Sequence, residues 1–330
     1  MNRRVAFFSV VLAASVTTAA VYVVRAARAR GAPSPAIAMT IAANHEPLVL
    51  FRDLEGNEGH FGKVAMATIG SERAPHPGAR ASSELSCVRI HFAAGRGLCL
   101  EADDAVPETS HLHIVGPDLQ PRASLSLNGI PSRARVARDG RYGAVTLFVA
   151  GHSYDDANMS TKTLLLDMAA GRVLSDLEQF AVYREGQRFE SRDFNFWGVT
   201  FTRDSNRFFA TLSSGGKTWL VRGDVAEKRV ETVRENVECP SLSPDEKRIV
   251  FKKRVGSGGT HRLHALEIET LRERELGEEQ PIDDQVEWLD DAHILYKNGP
   301  QIFALDVDGT SKAQVFLPRA SSPAVVRPSR

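Results

Sequence analysis

His111 and His113 lie two apart in a run that reads as a strand, so both rings fall on one face and could share a metal ion. No third ligand accompanies them, and a solvated strand face is the plainer reading. The acidic pairs Asp103-Asp104, Asp155-Asp156, Asp283-Asp284 and Asp290-Asp291 read as turn residues before they read as acid–base pairs. Cys87 and Cys99 flank a hairpin whose turn falls near Ala94-Gly95. Neighbouring strands bring the two thiols close enough for a disulfide in an oxidising compartment, although the simplest register does not set them directly opposite. Cys239 is left over as a buried thiol.

Other chemistries are excluded by what is missing. No G-x-S-x-G nucleophile elbow, no G-x-x-x-x-G-K-[ST] phosphate loop and no C-x-x-C pair occurs in the sequence. No catalytic residue, metal or cofactor is therefore assigned. The formal charge is zero, with 41 basic against 41 acidic residues, which argues against a nucleic-acid partner. At 42% hydrophobic and 25% charged residues the chain can bury a full core.

The elements that position these groups are repeated. Arg133–Thr146, Gly198–Thr211, Cys239–Lys252 and Gln285–Lys297 each read as a short strand, an Asp-centred turn and an apolar strand. The turn aspartates Asp139, Asp204, Asp245 and Asp290 are spaced 65, 41 and 45 residues apart. Four-stranded propeller blades recur at about 40–50 residues, so only the first interval carries an insertion. A strand–turn–strand pattern follows each unit, and no amphipathic helix competes with it.

The Ser243-Pro244-Asp245 turn running into Arg248-Ile249-Val250-Phe251, with its degenerate copies, resembles the TolB-like β-propeller repeats of bacterial translocation proteins. The resemblance spans about residues 45–328 and implies a role in envelope interactions. It does not extend to the additional α/β domain of TolB, for which residues 31–46 are too short. Five innermost strands can be counted directly, and Ser322-Pro-Ala-Val-Val326 supplies a sixth with nothing after it. Pro47–Phe51 looks like a second strand lacking its first. The expected fold is thus an all-β, six-bladed propeller over residues 47–328, closed by pairing of its two terminal strands.

Residues 1–30 read as a targeting element, and 31–46 as a Pro-containing linker. Val5–Val24 is a 20-residue uncharged run between arginines, long enough to span a bilayer as a signal anchor. That places the propeller outside the cytoplasm on a single-pass anchor; cleavage after a signal peptide is the alternative, giving a secreted or periplasmic protein. The long connections fall on one face, the one carrying the crossovers between blades. They are 151–160, 183–197, 254–261 and 278–284. Long loops on a rigid ring are where recognition concentrates. The expected binding residues are Tyr154, Asp155, Arg184, Arg188, Arg192, Asp193 and Trp197. The expected function is non-enzymatic binding of a protein or peptide at the cell envelope. The alternative is a lyase or glycan-acting enzyme with its site in the central funnel.

Overall fold

The computed structural model describes residues 41, 46–55, 61–70, 73–74, 80–106, 108–149, 160–256, 260–278, 280–309 and 311–327. They form six antiparallel sheets arranged as the blades of a propeller. Blade 1 holds β1 (Leu48–Asp53), β2 (Lys63–Thr68) and β3 (Ala81–Ser86). Blade 2 runs β4 (Arg89–Ala93), β5 (Arg96–Ala102), β6 (Thr109–Val115) and β7 (Pro121–Asn128). Blade 3 is β8 (Ile130–Val136), β9 (Tyr142–Val149), β10 (Ser160–Asp167) and β11 (Arg172–Asp176).

Blade 4 has six strands. A hairpin of β12 (Ala181–Arg184) and β13 (Gln187–Arg188) precedes β14 (Asn195–Phe201), β15 (Arg207–Ser214), β16 (Lys217–Asp224) and β17 (Arg229–Glu235). Blade 5 is β18 (Glu238–Leu242), β19 (Arg248–Val255), β20 (Thr260–Glu267) and β21 (Glu273–Glu275). Blade 6 is β22 (Glu287–Trp288), β23 (His293–Asn298), β24 (Gln301–Asp306) and β25 (Gln314–Pro318). The last strand, β26 (Ala320–Val326), returns to blade 1 and pairs antiparallel with β1, Leu48 opposite Val326 and Val49 opposite Val325. The ring is closed by the two ends of the domain, and blade 1 has no innermost strand without the C-terminal one.

Each blade is buried on both faces, which is why strands such as Leu48-Val-Leu-Phe51 are continuously apolar. Leu48 and Leu50 pack toward blade 2, whereas Val49 and Phe51 pack toward blade 6. Six apolar clusters result among the described residues, one between each adjacent pair of blades. The turn aspartates do the same job in four blades. Asp139, Asp204, Asp245 and Asp290 each accept a backbone N–H two or three residues on, from Arg141, Arg207, Lys247 and Ala292. The residue after Asp139 is Gly140, left-handed at φ 68°, where a Cβ would stand 3.2 Å from that of Ala94 in the neighbouring blade.

The segment proposed as an anchor, residues 5–24, lies outside the described residues, as does most of the linker. Among the described residues no helix is long and apolar enough to cross a membrane.

Candidate functional site

The crossover from blade 3 to blade 4 is built differently from the long loop read in the sequence. After a 3₁₀ turn at Leu177–Gln179, β12 lies parallel to β17 at the outer rim of blade 4, Ala181 opposite Arg229 and Tyr183 opposite Glu231. The outer strand of a blade offers unpaired backbone groups, and here the chain itself covers them. Arg184 and Arg188 therefore stand on the outer rim of blade 4 and not on the crossover face. Arg184 lies 4.6 Å from the Phe189 ring centre, and Arg229 lies 3.8 Å from that of Tyr183. Arg188 faces Tyr183 at 5.9 Å and Glu190 at 3.4 Å. Both Arg184 and Arg188 are exposed, and so is Arg192 further along.

Asp193 has a structural task. Its carboxylate accepts from Ser191 Oγ at 2.5 Å, Ser214 Oγ at 2.5 Å and Gly215 N at 2.6 Å, which ties the crossover to the β15–β16 turn. Burial opposes ionisation, but these donors hold its carboxyl below the usual carboxylate value. Trp197 is half-buried on β14, opposite Thr211, and Phe196 beside it is fully buried between blades 3 and 4. Tyr154 and Asp155 lie outside the described residues.

Of the two other expected loops, 254–261 is shorter than read, whereas 278–284 lies within the longer irregular connection from β21 to β22. β19 continues to Val255 and β20 begins at Thr260, so Arg254 and His261 sit on strands and hold buried Glu238 at 2.7 and 3.3 Å. In the 278–284 segment, Glu278 binds the Tyr296 hydroxyl, Asp283 binds Lys252 at 2.5 Å and Asp284 binds Arg89 at 3.1 Å.

The innermost strands line a central channel whose polar groups the sequence reading passed over. Halfway down, Arg135 of blade 3 pairs with Glu287 of blade 6, and Arg135 Nη2 donates to Val286 O at 3.1 Å. His91 of blade 2 joins them, its Nε2 at 3.0 Å from Arg135 Nη1 and 3.6 Å from Glu287 Oε2. His91 Nδ1 accepts the Val136 N–H at 3.1 Å, and Glu287 Oε1 accepts the Val325 N–H at 3.1 Å. Burial, then the Arg135 charge, pushes the His91 pKa down, so the imidazole is neutral. Burial alone would raise Glu287, but Arg135 and His91 hold it at about 2. This cluster divides the channel into a space of about 30 Å³ toward the crossovers and one of about 90 Å³ toward the Asp turns. The signal was present: Arg133 and Arg135, two apart on one inner strand, must share a face.

His111 and His113 sit on β6 with rings 6.4 Å apart, each already engaged: His111 with Asp103 at 3.2 Å and His113 with Ser124 at 2.7 Å. Among the described residues no group of three or more His, Cys, Asp or Glu side chains is placed to hold a metal. Cys87 and Cys99 are joined in a disulfide with Cα atoms 5.3 Å apart. Cys99 lies opposite Ile90, and Val88 N donates to Leu100 O at 2.7 Å although Arg89 is the Leu100 partner. Two residues thus oppose one, and this bulge carries Cys87 back to Cys99.

The fold defines a six-bladed β-propeller. No protein-family model and no curated relative matches the chain. Among solved structures it is similar to TolB from Acinetobacter baumannii, at 15% identity and TM-score 0.58, over 86% of this chain and 67% of that one. It is similar also to a chain of a nidogen/laminin complex, at 12% identity and TM-score 0.54, over 84% of this chain and 98% of the other. Likeness at this identity describes the fold alone.

Proposed function

We propose that the chain is a non-enzymatic, membrane-tethered propeller that binds a protein or peptide partner outside the cytoplasm, at the cell envelope. The observation that carries this reading is the β12–β13 hairpin, an addition to the four-strand plan that puts Arg184 and Arg188 on the rim of blade 4. Arg184 rests on an aromatic ring. Stacked guanidinium groups are held in place with their N–H edges free, and such arginines dominate interface energies. Arg192 follows on the crossover, and the three arginines alternate with the exposed Glu185 and Glu190, so the strip presents charges of both signs. The TolB-like repeats support the envelope setting, and the apolar run at 5–24 supports the tether.

The rival enzymatic reading would use His91, Arg135 and Glu287. Those three groups are spent on one another and on backbone N–H and C=O groups, and that favours binding over catalysis. Capture from detergent-solubilised envelope extract by the full chain tests the proposal. Arg184→Ala, Arg188→Ala and Arg192→Ala together should reduce capture about tenfold or more while Lys247→Ala, on the opposite face, leaves it unchanged. Equal capture by the triple variant would overturn the assignment of the strip. Recovery of the wild-type chain in the soluble fraction after a high-salt wash would overturn the tether.

A further inference from the structure

The end of the channel opposite the crossovers opens into a funnel built by the first turns of blades 2 to 6 and by the residue after β26 in blade 1. Ala94, Arg138, Arg203, Pro244, Asp290 and Arg327 contribute one residue from each blade to a space of about 890 Å³. It narrows to the 90 Å³ chamber above His91 and Arg135, and Arg138 and Arg327 line both. Arg138 and Arg203 occupy the same repeat position, immediately before the turn aspartates Asp139 and Asp204. Arg327 follows directly on β26. The spacing of the three is therefore set by the ring and not by loops.

Of the four carboxylates near them, three are engaged in hydrogen bonds, and the fourth, Asp291, lines the same funnel. Asp245 accepts from Ser243 Oγ at 2.5 Å and Lys247 N at 3.1 Å. Asp290 accepts from Ala292 N at 2.8 Å and His293 Nδ1 at 2.7 Å, and pairs with Arg73 at 2.9 Å. Glu246 takes the Arg203 backbone N–H. The arginine side chains have carbonyl partners: Arg138 Nη1 donates to Pro244 O at 2.8 Å and Arg327 Nη2 to Trp288 O at 2.6 Å. Among the described residues neither Arg138, Arg203 nor Arg327 reaches a carboxylate within 4 Å, whereas Arg73, Arg89, Arg135 and Arg234 all do. Burial, then the charges of Arg327 and Arg203, lowers the Arg138 pKa, and Glu246 and Asp291 offset only part of this. The scaffold holds these like charges near one another, with only part of the Arg138 and Arg327 forks taken up by carbonyls.

We propose that this funnel is a second binding site, for a small oxyanion of two or more negative charges such as a phosphate ester or a polycarboxylate. A guanidinium donates in parallel to one carboxylate or phosphoryl group. Three of them, from blades 1, 3 and 4, match a ligand with several such groups, and the narrow chamber behind them limits its size. The site lies at the opposite end of the channel from the crossover face and stands whether or not the rim strip binds a protein.

Calorimetric titration of the full chain in detergent, with inorganic pyrophosphate in one arm and citrate in the other, tests it. Saturable binding at one site per chain is expected in at least one arm, and which arm binds separates phosphate from carboxylate ligands. Arg138→Ala with Arg327→Ala should weaken it about tenfold or more, and Arg222→Ala on the outer face of blade 4 should not. Since Arg138 and Arg327 also bond carbonyls, Arg203→Gln on its exposed turn is the second variant, expected to weaken binding severalfold with an unchanged melting temperature. Absence of saturable binding at millimolar concentrations of both anions overturns the proposal. Undiminished binding in both the double variant and Arg203→Gln overturns it equally.

Discussion

Arg135 and Glu287 come from opposite blades of the ring, the third and the sixth, and their ion pair bridges the central channel. Both side chains are nearly buried, at 12% and 7% exposure. Removing one partner of a buried pair strands the other, at a cost of about 3–5 kcal/mol. Glu287→Gln should therefore lower stability by that order at neutral pH, read from urea melts.

The acid response follows from the same cluster. Glu287 has a folded pKa of about 2 against an ordinary 4.5, so its contribution is full above 4.5 and is lost as pH falls toward 2. His91 is also lowered from 6.5, so the unfolded chain takes its proton first and stability begins to fall below that pH. Melting temperature should decline from about pH 6.5 downward, most steeply below 4.5. The gap between wild type and Glu287→Gln should close near pH 2; a gap of constant size across this range would show that the pair is not the origin.

Closure by β26 can be tested by truncation. A chain ending at Ser321 removes Ala324 and Val325, both buried, and the ladder with β1. The loss should exceed about 5 kcal/mol, beyond most single substitutions, and leave blade 1 open. A circular-dichroism melt within a degree or so of the intact domain would contradict the closure.

The disulfide closes a short loop, with a sequence separation of 12. Replacing Cys87 and Cys99 with serine should cost about 2–4 kcal/mol. Thiol titration of the denatured, unreduced chain should find a single thiol, that of Cys239, and three after reduction. Three thiols before reduction would place the protein in a reducing compartment.

Asp193 separates packing from recognition on the crossover. Asp193→Ala loses three hydrogen bonds and should destabilise the domain by about 1–3 kcal/mol. The Arg184, Arg188 and Arg192 substitutions should each stay within about 0.5 kcal/mol. Thermal melts of the four variants, compared with their capture by the partner, distinguish the two roles.

What the sequence determined by itself was local and periodic. The Asp turns are legible because an aspartate and its backbone N–H partner lie two or three residues apart, so no distant segment is needed to close them. The blade count and the β1–β26 closure follow from counting strands that alternate and one that lacks a partner. Tertiary structure alone decided where unlike blades meet. Arg135 and Glu287 are 152 positions apart and become neighbours only when the ring closes. The β12–β13 hairpin escaped the reading because β12 gains stability from pairing with β17, Ala181 opposite Arg229, and not from its own pattern. The Arg138, Arg203 and Arg327 funnel is of the same kind: two look like ordinary turn arginines and one like a residue trailing the last strand, and only the circular arrangement brings them to one space.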